Sequence, residues 1–293
     1  MSPAAMEVIE RDGWRLRVGD FGLTIAAREA VVVRALEASR GELGSPRRRS
    51  RHASTWPVKI GNSLELQIFI KLLDAPRGLE VIKRVVRGDR SDHVARITQG
   101  LSDSGFFAPP LLAYGREAAT GREIMVTPRA EGEGPLRTIK VMRTMPVDRK
   151  RAVLRALGAE IARLHRCGFV HGDLTPFNIF FVRTEPPRFV FIDHERTRKA
   201  GPIGRRRQML RNLVQLGRFA LPGVTATDRM RVLFGYAAMM DRGERRALVR
   251  RVGAMLLRRI RRDGVAQVED PSNWKKESLT GASQFDGRVN GNG

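Results

Sequence analysis

The chain has 293 residues, 42% of them hydrophobic, enough for a folded protein of one large or two modest domains. A single cysteine excludes an internal disulfide framework, and no apolar run approaches the roughly 20 residues of a membrane-spanning helix. The net charge of +23, from 54 Lys and Arg against 31 Asp and Glu, favours polyanionic surroundings. The N terminus contains acids and no apolar core, so we expect a cytoplasmic protein without a secretory signal.

The first half of the chain is predicted to be rich in strands. Four short segments have the composition of strands: 14–18, 23–26, 109–114 and 122–127. A fifth strand is predicted over 64–73, which alternates and then becomes apolar around Lys71. Helices are predicted over 27–39 and, in two pieces, over 78–102. The Gly-, Arg- and Ser-rich stretch 41–55 is predicted to be a loop.

The second half is predicted to be mainly helical. Apolar residues spaced three or four apart predict a helix that ends near Gly168. Two short apolar runs, 179–182 and 189–192, are separated by a Pro-containing turn and predict a β-hairpin. Beyond Asp193 the chain is predicted to be almost wholly helical to about Gly264.

The loop between the long helix and the hairpin contains the residues that point to chemistry. It reads His171-Gly-Asp-Leu-Thr-Pro-Phe-Asn178, and the hairpin is followed by Asp193. Phosphoryl transfer needs one carboxylate to orient the attacking hydroxyl and accept its proton, and an Asn and a second Asp to hold Mg²⁺ on the phosphates. Asp173, Asn178 and Asp193 have the order and spacing of the protein-kinase signature. Turn capping would explain any one of them, but explains the whole set poorly.

The order of elements predicts an α+β protein with the two-lobed, protein-kinase-like fold. A β-rich N-lobe that binds the nucleotide is expected over 12–132, and a helical C-lobe with the catalytic loop over 133–264. The polar C terminus, 265–293, is predicted to be a disordered tail.

Lys71 is the predicted phosphate contact of the N-lobe. A Lys flanked by apolar residues is costly to bury unless its charge meets an anion, although an edge strand also uses Lys to prevent aggregation. Parts of the protein-kinase pattern are missing. No Gly-x-Gly-x-x-Gly precedes Lys71, and no Glu lies between Gly88 and Glu117, which leaves Asp92 as the nearest acid. The short segment after Asp193 lacks a long activation loop, which favours a small or membrane-displayed acceptor over a protein.

The chain resembles the lipopolysaccharide core kinases, the Kdo and heptose kinase family of Gram-negative bacteria within the protein-kinase-like superfamily. The segments that are similar are 69–71, 105–115, 171–180, 191–197 and 210–216. The resemblance implies ATP- and Mg²⁺-dependent phosphorylation of a sugar hydroxyl in the lipid A–core glycolipid, at the cytoplasmic membrane face. It implies Asp173 as the catalytic base, Asn178 and Asp193 as the metal ligands, and Lys71 as the phosphate contact.

The positive charge is clustered. The clusters are Arg47 to Arg49 with Arg51, Arg205 to Arg207 with Arg211, and nine arginines between 242 and 262. Arginine pairs with phosphate bidentately, so we expect an anionic glycolipid acceptor and a peripheral position at the anionic inner-membrane surface. The candidates for an acceptor-side patch are Arg196, Arg198, Lys199 and Arg205 to Arg207. Only 6% of residues are aromatic and no nucleic-acid-binding module is recognisable, which argues against a nucleic-acid partner. The oligomeric state is not predicted.

Other interpretations stay open. The catalytic string is also similar to those of small atypical protein kinases involved in tRNA modification and of aminoglycoside and choline phosphotransferases. The +23 charge disfavours a cationic drug, which needs an acid-lined pocket. A catalytically inert pseudokinase, acting as a basic scaffold, would explain the missing glycine-rich loop. It would not explain why Asp173, Asn178, Asp193 and Lys71 are all present.

Overall fold

The computed structural model of the protein describes residues 6–50, 52–61, 66–76, 78, 81, 88–201 and 204–267. The chain divides into two compact units, Met1–Ala130 and Glu131–Gly293. The N-terminal unit is built on an antiparallel sheet, and the C-terminal unit is mainly helical. The predicted α+β class, with a β-rich N-terminal part and a helical C-terminal part, is therefore confirmed.

The strands of the N-terminal unit form one sheet. They are β1 (Met6–Arg11), β2 (Trp14–Gly19), β3 (Arg48–Arg49), β4 (Ala53–Ile60), β5 (Leu66–Leu73), β6 (Ala113–Glu117) and β7 (Glu123–Pro128). Their order is β1-β2-β6-β7-β5-β4-β3, and all neighbours are antiparallel. Asp12 and Gly13 join β1 to β2 with φ values of 51° and 77°, as a type I′ hairpin turn requires.

Helix α1 (Ile25–Arg40) packs against this sheet. Its buried side chains share one hydrophobic cluster with buried side chains of the strands. The helix begins after Thr24, whose Oγ1 accepts a hydrogen bond from the N–H of Ala27 at 3.2 Å. The predicted strand over 23–26 is therefore wrong, because Thr24 caps a helix that already includes Ile25.

Lys71 lies on an interior strand. It is opposite Thr55 of β4 and Met125 of β7, so β5 has a hydrogen-bonded neighbour on each side. The fully buried Ile70 precedes it, and successive side chains of a strand alternate, so Lys71 lies on the other face of the sheet. The edge-strand explanation for this lysine therefore does not apply. Residues 64–65 of the predicted strand lie outside the described residues.

Helix α2 (Arg90–Asp103) forms the second part of the predicted helical region 78–102. Much of the first part of that region lies outside the described residues. Asp92, the acid nearest to Lys71 in the sequence-based prediction, contacts the guanidinium of Arg17 on β2. This ion pair fastens the start of α2 to the sheet.

The C-terminal unit consists of helices and short strand pairs. Its helices are α3 (Pro135–Thr144), α4 (Val147–Arg166), α5 (Arg205–Gly217), α6 (Ala226–Tyr236) and α7 (Arg242–Asp263). Its strands are β8 (Phe169–Val170), β9 (Ile179–Val182), β10 (Arg188–Phe191), β11 (Arg198–Lys199), β12 (Phe219–Ala220) and β13 (Ala266–Gln267). Strand β13 pairs with β12, so residues 266–267 belong to the fold. The predicted tail beyond them, 268–293, lies outside the described residues.

Helices α4 and α6 cross with their backbones in contact. A Cβ at Gly158 of α4 would overlap the carbonyl oxygen of Val232, and one at Gly235 of α6 would overlap that of Arg155. Glycine at both positions lets the helices approach more closely than any side chain would allow. The crossing fixes the C-terminal half of α4, which leads into the loop that contains Asp173.

Candidate active site

Strand β8 leads into the predicted catalytic loop. It pairs with β11, which follows Asp193. The pairing is antiparallel, with Val170 opposite Arg198, so the start of the loop and the segment after Asp193 lie side by side. Between them the loop passes Gly172, whose φ is 63°, and a Cβ there would overlap the carbonyl oxygen of Arg196. Only glycine fits this position without strain.

The hairpin brings Asn178 and Asp193 to the same end, as predicted. Strands β9 and β10 pair from Ile179, and the N–H of Ile192 donates to the carbonyl oxygen of Asn178 at 3.0 Å. Asp193 follows directly in a left-handed conformation, with φ 63° and ψ 61°, which is uncommon for a residue other than glycine. The second strand is Arg188–Phe191, so the predicted run 189–192 is shifted by one residue.

Asp173 and Asn178 lie on the same loop and are held together by hydrogen bonds. The Nδ2 of Asn178 donates to the backbone oxygen of Asp173 at 2.8 Å and lies 3.4 Å from its carboxylate Oδ2. Asp173, Asn178 and Asp193 are therefore brought together within one unit. Lys71 belongs to the other unit, and its role as a phosphate contact stays a prediction.

Asn178 and Asp193 fit a magnesium ion by the chemistry of their donors. The amide nitrogen of Asn178 donates to Asp173, so the side-chain oxygen of Asn178 is the atom that would face a cation. Asp193 is an exposed residue that would add a carboxylate. Mg²⁺ prefers such oxygen ligands and completes its octahedron with phosphates and water. Within the described ranges, no group of three or more His, Cys, Asp and Glu side chains could hold a metal ion.

Two amide side chains of α5 contact the loop and are absent from the sequence-based prediction. The Nε2 of Gln215 donates to the carboxylate Oδ1 of Asp173, and the Oδ1 of Asn212 accepts the N–H of His171 at 3.1 Å. The sequence signal that could have identified them is their spacing. Residues three apart lie on the same helix face, and these two polar residues both interrupt an apolar segment.

A buried polar network links Asn212 to two further helices. Its Oδ1 also lies 3.1 Å from Nε2 of His165 on α4, while Nδ1 of that histidine lies 2.9 Å from the hydroxyl of Tyr236 on α6. His165 can satisfy both contacts as the neutral tautomer, donating from Nε2 and accepting at Nδ1. Burial raises the pKa of Tyr236 to about 12, so its hydroxyl stays a donor.

His171 and His194 are neutral structural residues. His171 contacts the carbonyl oxygen of Ile192 through Nε2 at 2.9 Å, and His194 contacts that of Phe191 at 2.8 Å. Burial lowers the pKa of both, and for His194 the combination of burial and the neighbouring His171 lowers it to about 3. Both side chains fix the turn at Asp193.

We predict that the free energy of unfolding falls as the pH is lowered from about 6.5 to about 4. Burial lowers the pKa of His165 to about 4, partly opposed by its hydrogen bond to Asn212, and the charge of Arg205 adds a smaller lowering. In the unfolded chain the pKa is about 6.5. Between these values the unfolded chain binds a proton that the folded protein does not, so lowering the pH favours unfolding by roughly 3 kcal/mol in total.

Urea unfolding of wild type and His165→Gln between pH 7.5 and 4.5 tests this prediction. Glutamine is neutral throughout, so we expect its stability to depend less steeply on pH than that of wild type. Equal pH dependence in the two proteins would contradict the assignment of a neutral, buried His165.

Comparison with known proteins places this arrangement in a family. The chain is 33% identical over 94 residues to the KEOPS complex subunit Bud32 of Pyrococcus abyssi (strain GE5 / Orsay). This stretch is 32% of the chain, and the chain spans only about 40% of the length of that curated relative. The model of the lipopolysaccharide kinase (Kdo/WaaP) family matches residues 89–236, half of the chain, including the catalytic loop, the hairpin and α5. The resemblance seen in the sequence is thereby confirmed, and the chain belongs to the lipopolysaccharide kinase (Kdo/WaaP) family.

Proposed function

We propose that the protein is a kinase that transfers the γ-phosphate of ATP to a sugar hydroxyl of a lipopolysaccharide core or a similar anionic glycolipid. The observation that carries the proposal is the convergence of Asp173, Asn178 and Asp193 at one end of the β9–β10 hairpin. Membership of a kinase family supports the reaction class. The proposed place of the reaction is the cytoplasmic face of the inner membrane.

In this reaction the acceptor oxygen forms a bond to the γ-phosphorus as the bond to the ADP oxygen breaks. Asp173 orients the acceptor hydroxyl and accepts its proton. Asn178 and Asp193 would hold the Mg²⁺, which when bound neutralises charge on the phosphates. Lys71 would contact the nucleotide phosphates.

Basic residues next to the loop support an anionic acceptor. Arg198 and Lys199 are exposed on β11, and the exposed Arg196 has its backbone against Gly172, one residue before Asp173. Phosphate or carboxylate groups near the reacting hydroxyl would pair with these side chains. Arg205 does not belong to this patch, because its guanidinium donates to the carbonyl oxygens of His165 and Arg166 at the end of α4.

Helix α7 supports peripheral binding to an anionic membrane. No helix among the described residues is both long and apolar enough to cross a bilayer. One face of α7 carries exposed residues at helical spacing: Arg250, Ala254, Leu257, Arg258 and Arg261. Leu257 is 57% exposed among these arginines, and such a combination suits a headgroup layer into which an apolar side chain dips. The opposite face, which includes the buried Val252, packs on α5.

Replacing Arg250, Arg258 and Arg261 together by Gln is expected to weaken binding to vesicles that contain phosphatidylglycerol by about 100-fold. Each arginine near an anionic surface contributes on the order of 1 kcal/mol, and tenfold in affinity corresponds to about 1.4 kcal/mol. Vesicle sedimentation at low salt measures the effect, and added salt should weaken wild-type binding because it screens the charges.

A control variant removes the same charge elsewhere. It replaces three surface arginines that are already in ion pairs with acids: Arg15, Arg116 and Arg151. We expect this control to bind vesicles much more tightly than the α7 variant. Equal weakening in the two variants would contradict α7 as the membrane-binding face.

A protein-phosphorylating activity is the second candidate, because the string His171-Gly-Asp-Leu-Thr175 is also similar to that of small atypical protein kinases. The two candidates are separated by supplying γ-labelled ATP and Mg²⁺ with deacylated lipopolysaccharide core or with a protein acceptor. The proposed function predicts label on the glycolipid. Label on protein alone would favour the second candidate and overturn the first.

A further inference from the structure

The carboxylate of Asp173 is held by a residue far away in the sequence. Gln215 donates from Nε2 to Oδ1 of the carboxylate, across 42 positions of the chain. Asn178 binds mainly the backbone oxygen of Asp173, at 2.8 Å, and lies 3.4 Å from the other carboxylate oxygen, Oδ2. The closest side-chain hydrogen bond to the carboxylate therefore comes from Gln215.

Gln215 is itself well placed to act as a fixed support. It lies on α5, one turn after Asn212, which is 2% exposed and accepts a hydrogen bond from the backbone of His171. One helix face thus contacts the loop at His171 and again at Asp173. Because the hydrogen bond between Asn212 and His171 holds α5 against the loop, the position of the Gln215 side chain relative to Asp173 is fixed.

The chemical type of the side chain suits this task. A carboxamide can direct one oxygen of a carboxylate without adding charge. Lys or Arg in the same place would share the negative charge of Asp173 and reduce its capacity to accept a proton, while Glu would repel it. Gln215 leaves Oδ2 as the oxygen that can face an acceptor hydroxyl.

We propose that Gln215 is a positioning residue that fixes the Asp173 carboxylate so that Oδ2 meets the acceptor hydroxyl. This inference rests on the proposed phosphotransferase function. Gln215 touches neither nucleotide nor acceptor in this role, and it acts only through Asp173. Its loss should therefore lower kcat without changing the KM for ATP.

The test combines Gln215→Leu and Gln215→Glu with Asp173→Asn in a double-mutant cycle. Transfer of γ-phosphate to deacylated lipopolysaccharide core is the readout. Loss of a hydrogen bond to a charged group lowers kcat by about 10- to 100-fold, and we expect this for Gln215→Leu. Gln215→Glu keeps the shape of the side chain but offers no amide donor and adds a like charge, so it should be impaired at least as much. In the Asp173→Asn background, Gln215→Leu should cause little further loss.

A matched control has the same contact away from the site. Gln99 on the surface of α2 donates from Nε2 to Oδ1 of Asp103 at 2.7 Å. We expect Gln99→Leu to keep wild-type kcat. Thermal unfolding of each variant shows whether a lowered rate comes from misfolding.

A spectroscopic readout separates this inference from the proposed function. The side-chain amide signal of Gln215, observed by ¹⁵N NMR, should shift in Asp173→Asn, while that of Gln99 should not. Full activity in Gln215→Glu, or multiplicative losses in the double variant, would overturn the positioning role, as would an unshifted amide signal. An amide shift without any phosphate transfer by wild type would overturn the proposed function, and with it the part of the proposed Gln215 role that concerns the acceptor hydroxyl.

Discussion

Asp173→Asn is expected to lower kcat for phosphate transfer by about three orders of magnitude, within the 10²- to 10⁴-fold typical of a lost general base. Asparagine has nearly the shape of aspartate and leaves the backbone contact with Asn178 in place. It cannot accept a proton from the acceptor hydroxyl. Initial rates with γ-labelled ATP and lipopolysaccharide core measure the effect, and the KM for ATP should change little.

Asp148→Asn is the matched control for this substitution. Asp148 lies in the first turn of α4 with its side chain 95% exposed, and it pairs with Arg151 on the surface. We expect wild-type rates for this variant. An Asp173→Asn protein that keeps more than about a hundredth of wild-type activity would show that Asp173 is not the base, because its loss would then cost less than the lower limit of about 10²-fold for such a group.

Gly158→Ala is expected to destabilise the C-terminal unit more than the other substitutions considered. The new Cβ would overlap the carbonyl oxygen of Val232, a backbone atom that cannot move aside alone. Helices α4 and α6 would have to separate, and overpacking of this kind costs about 1–3 kcal/mol or more. The separation would also stretch the contact between His165 and Tyr236, which is 2.9 Å in the native protein. Urea unfolding at pH 7.5 measures the loss.

Gly253→Ala provides the opposite case. Gly253 lies within α7, and a Cβ there would have no atom within 4 Å. Alanine is the better helix former by about 1 kcal/mol, so this variant should be slightly more stable than wild type. A Gly158→Ala protein as stable as wild type would contradict the close helix crossing.

The parts of the site that sequence alone predicts are local. Asn178, the hairpin and Asp193 lie within sixteen consecutive residues, so two short apolar runs separated by a Pro-containing turn were enough to predict that they meet. The prediction of a strand over 23–26 was wrong because the Thr24 side chain accepts a hydrogen bond from Ala27 and so begins α1 there. Strand β1 was not predicted, because its charged residues give it little resemblance to a strand. The Asp12-Gly13 turn is the feature of the sequence that indicates this hairpin.

The parts that sequence did not predict depend on contacts between distant segments. Gln215 reaches Asp173 across 42 positions, and nothing near either residue specifies the other. The interior position of Lys71 depends on pairing of β5 with both β4 and β7, which strand composition does not reveal. Propensity and periodicity describe one segment at a time, whereas these features are properties of how segments pack.

The most direct test of the central claim is a single-turnover experiment with enzyme in excess over γ-labelled ATP. Mg²⁺ and deacylated lipopolysaccharide core are both supplied. It measures how the label divides between the glycolipid and inorganic phosphate. If Asp173, Asn178 and Asp193 form a phosphotransferase site for this acceptor, wild type should place the label on the glycolipid and Asp173→Asn should not. Nucleotide bound by wild type with no label on the glycolipid, or equal labelling by both proteins, would contradict the account.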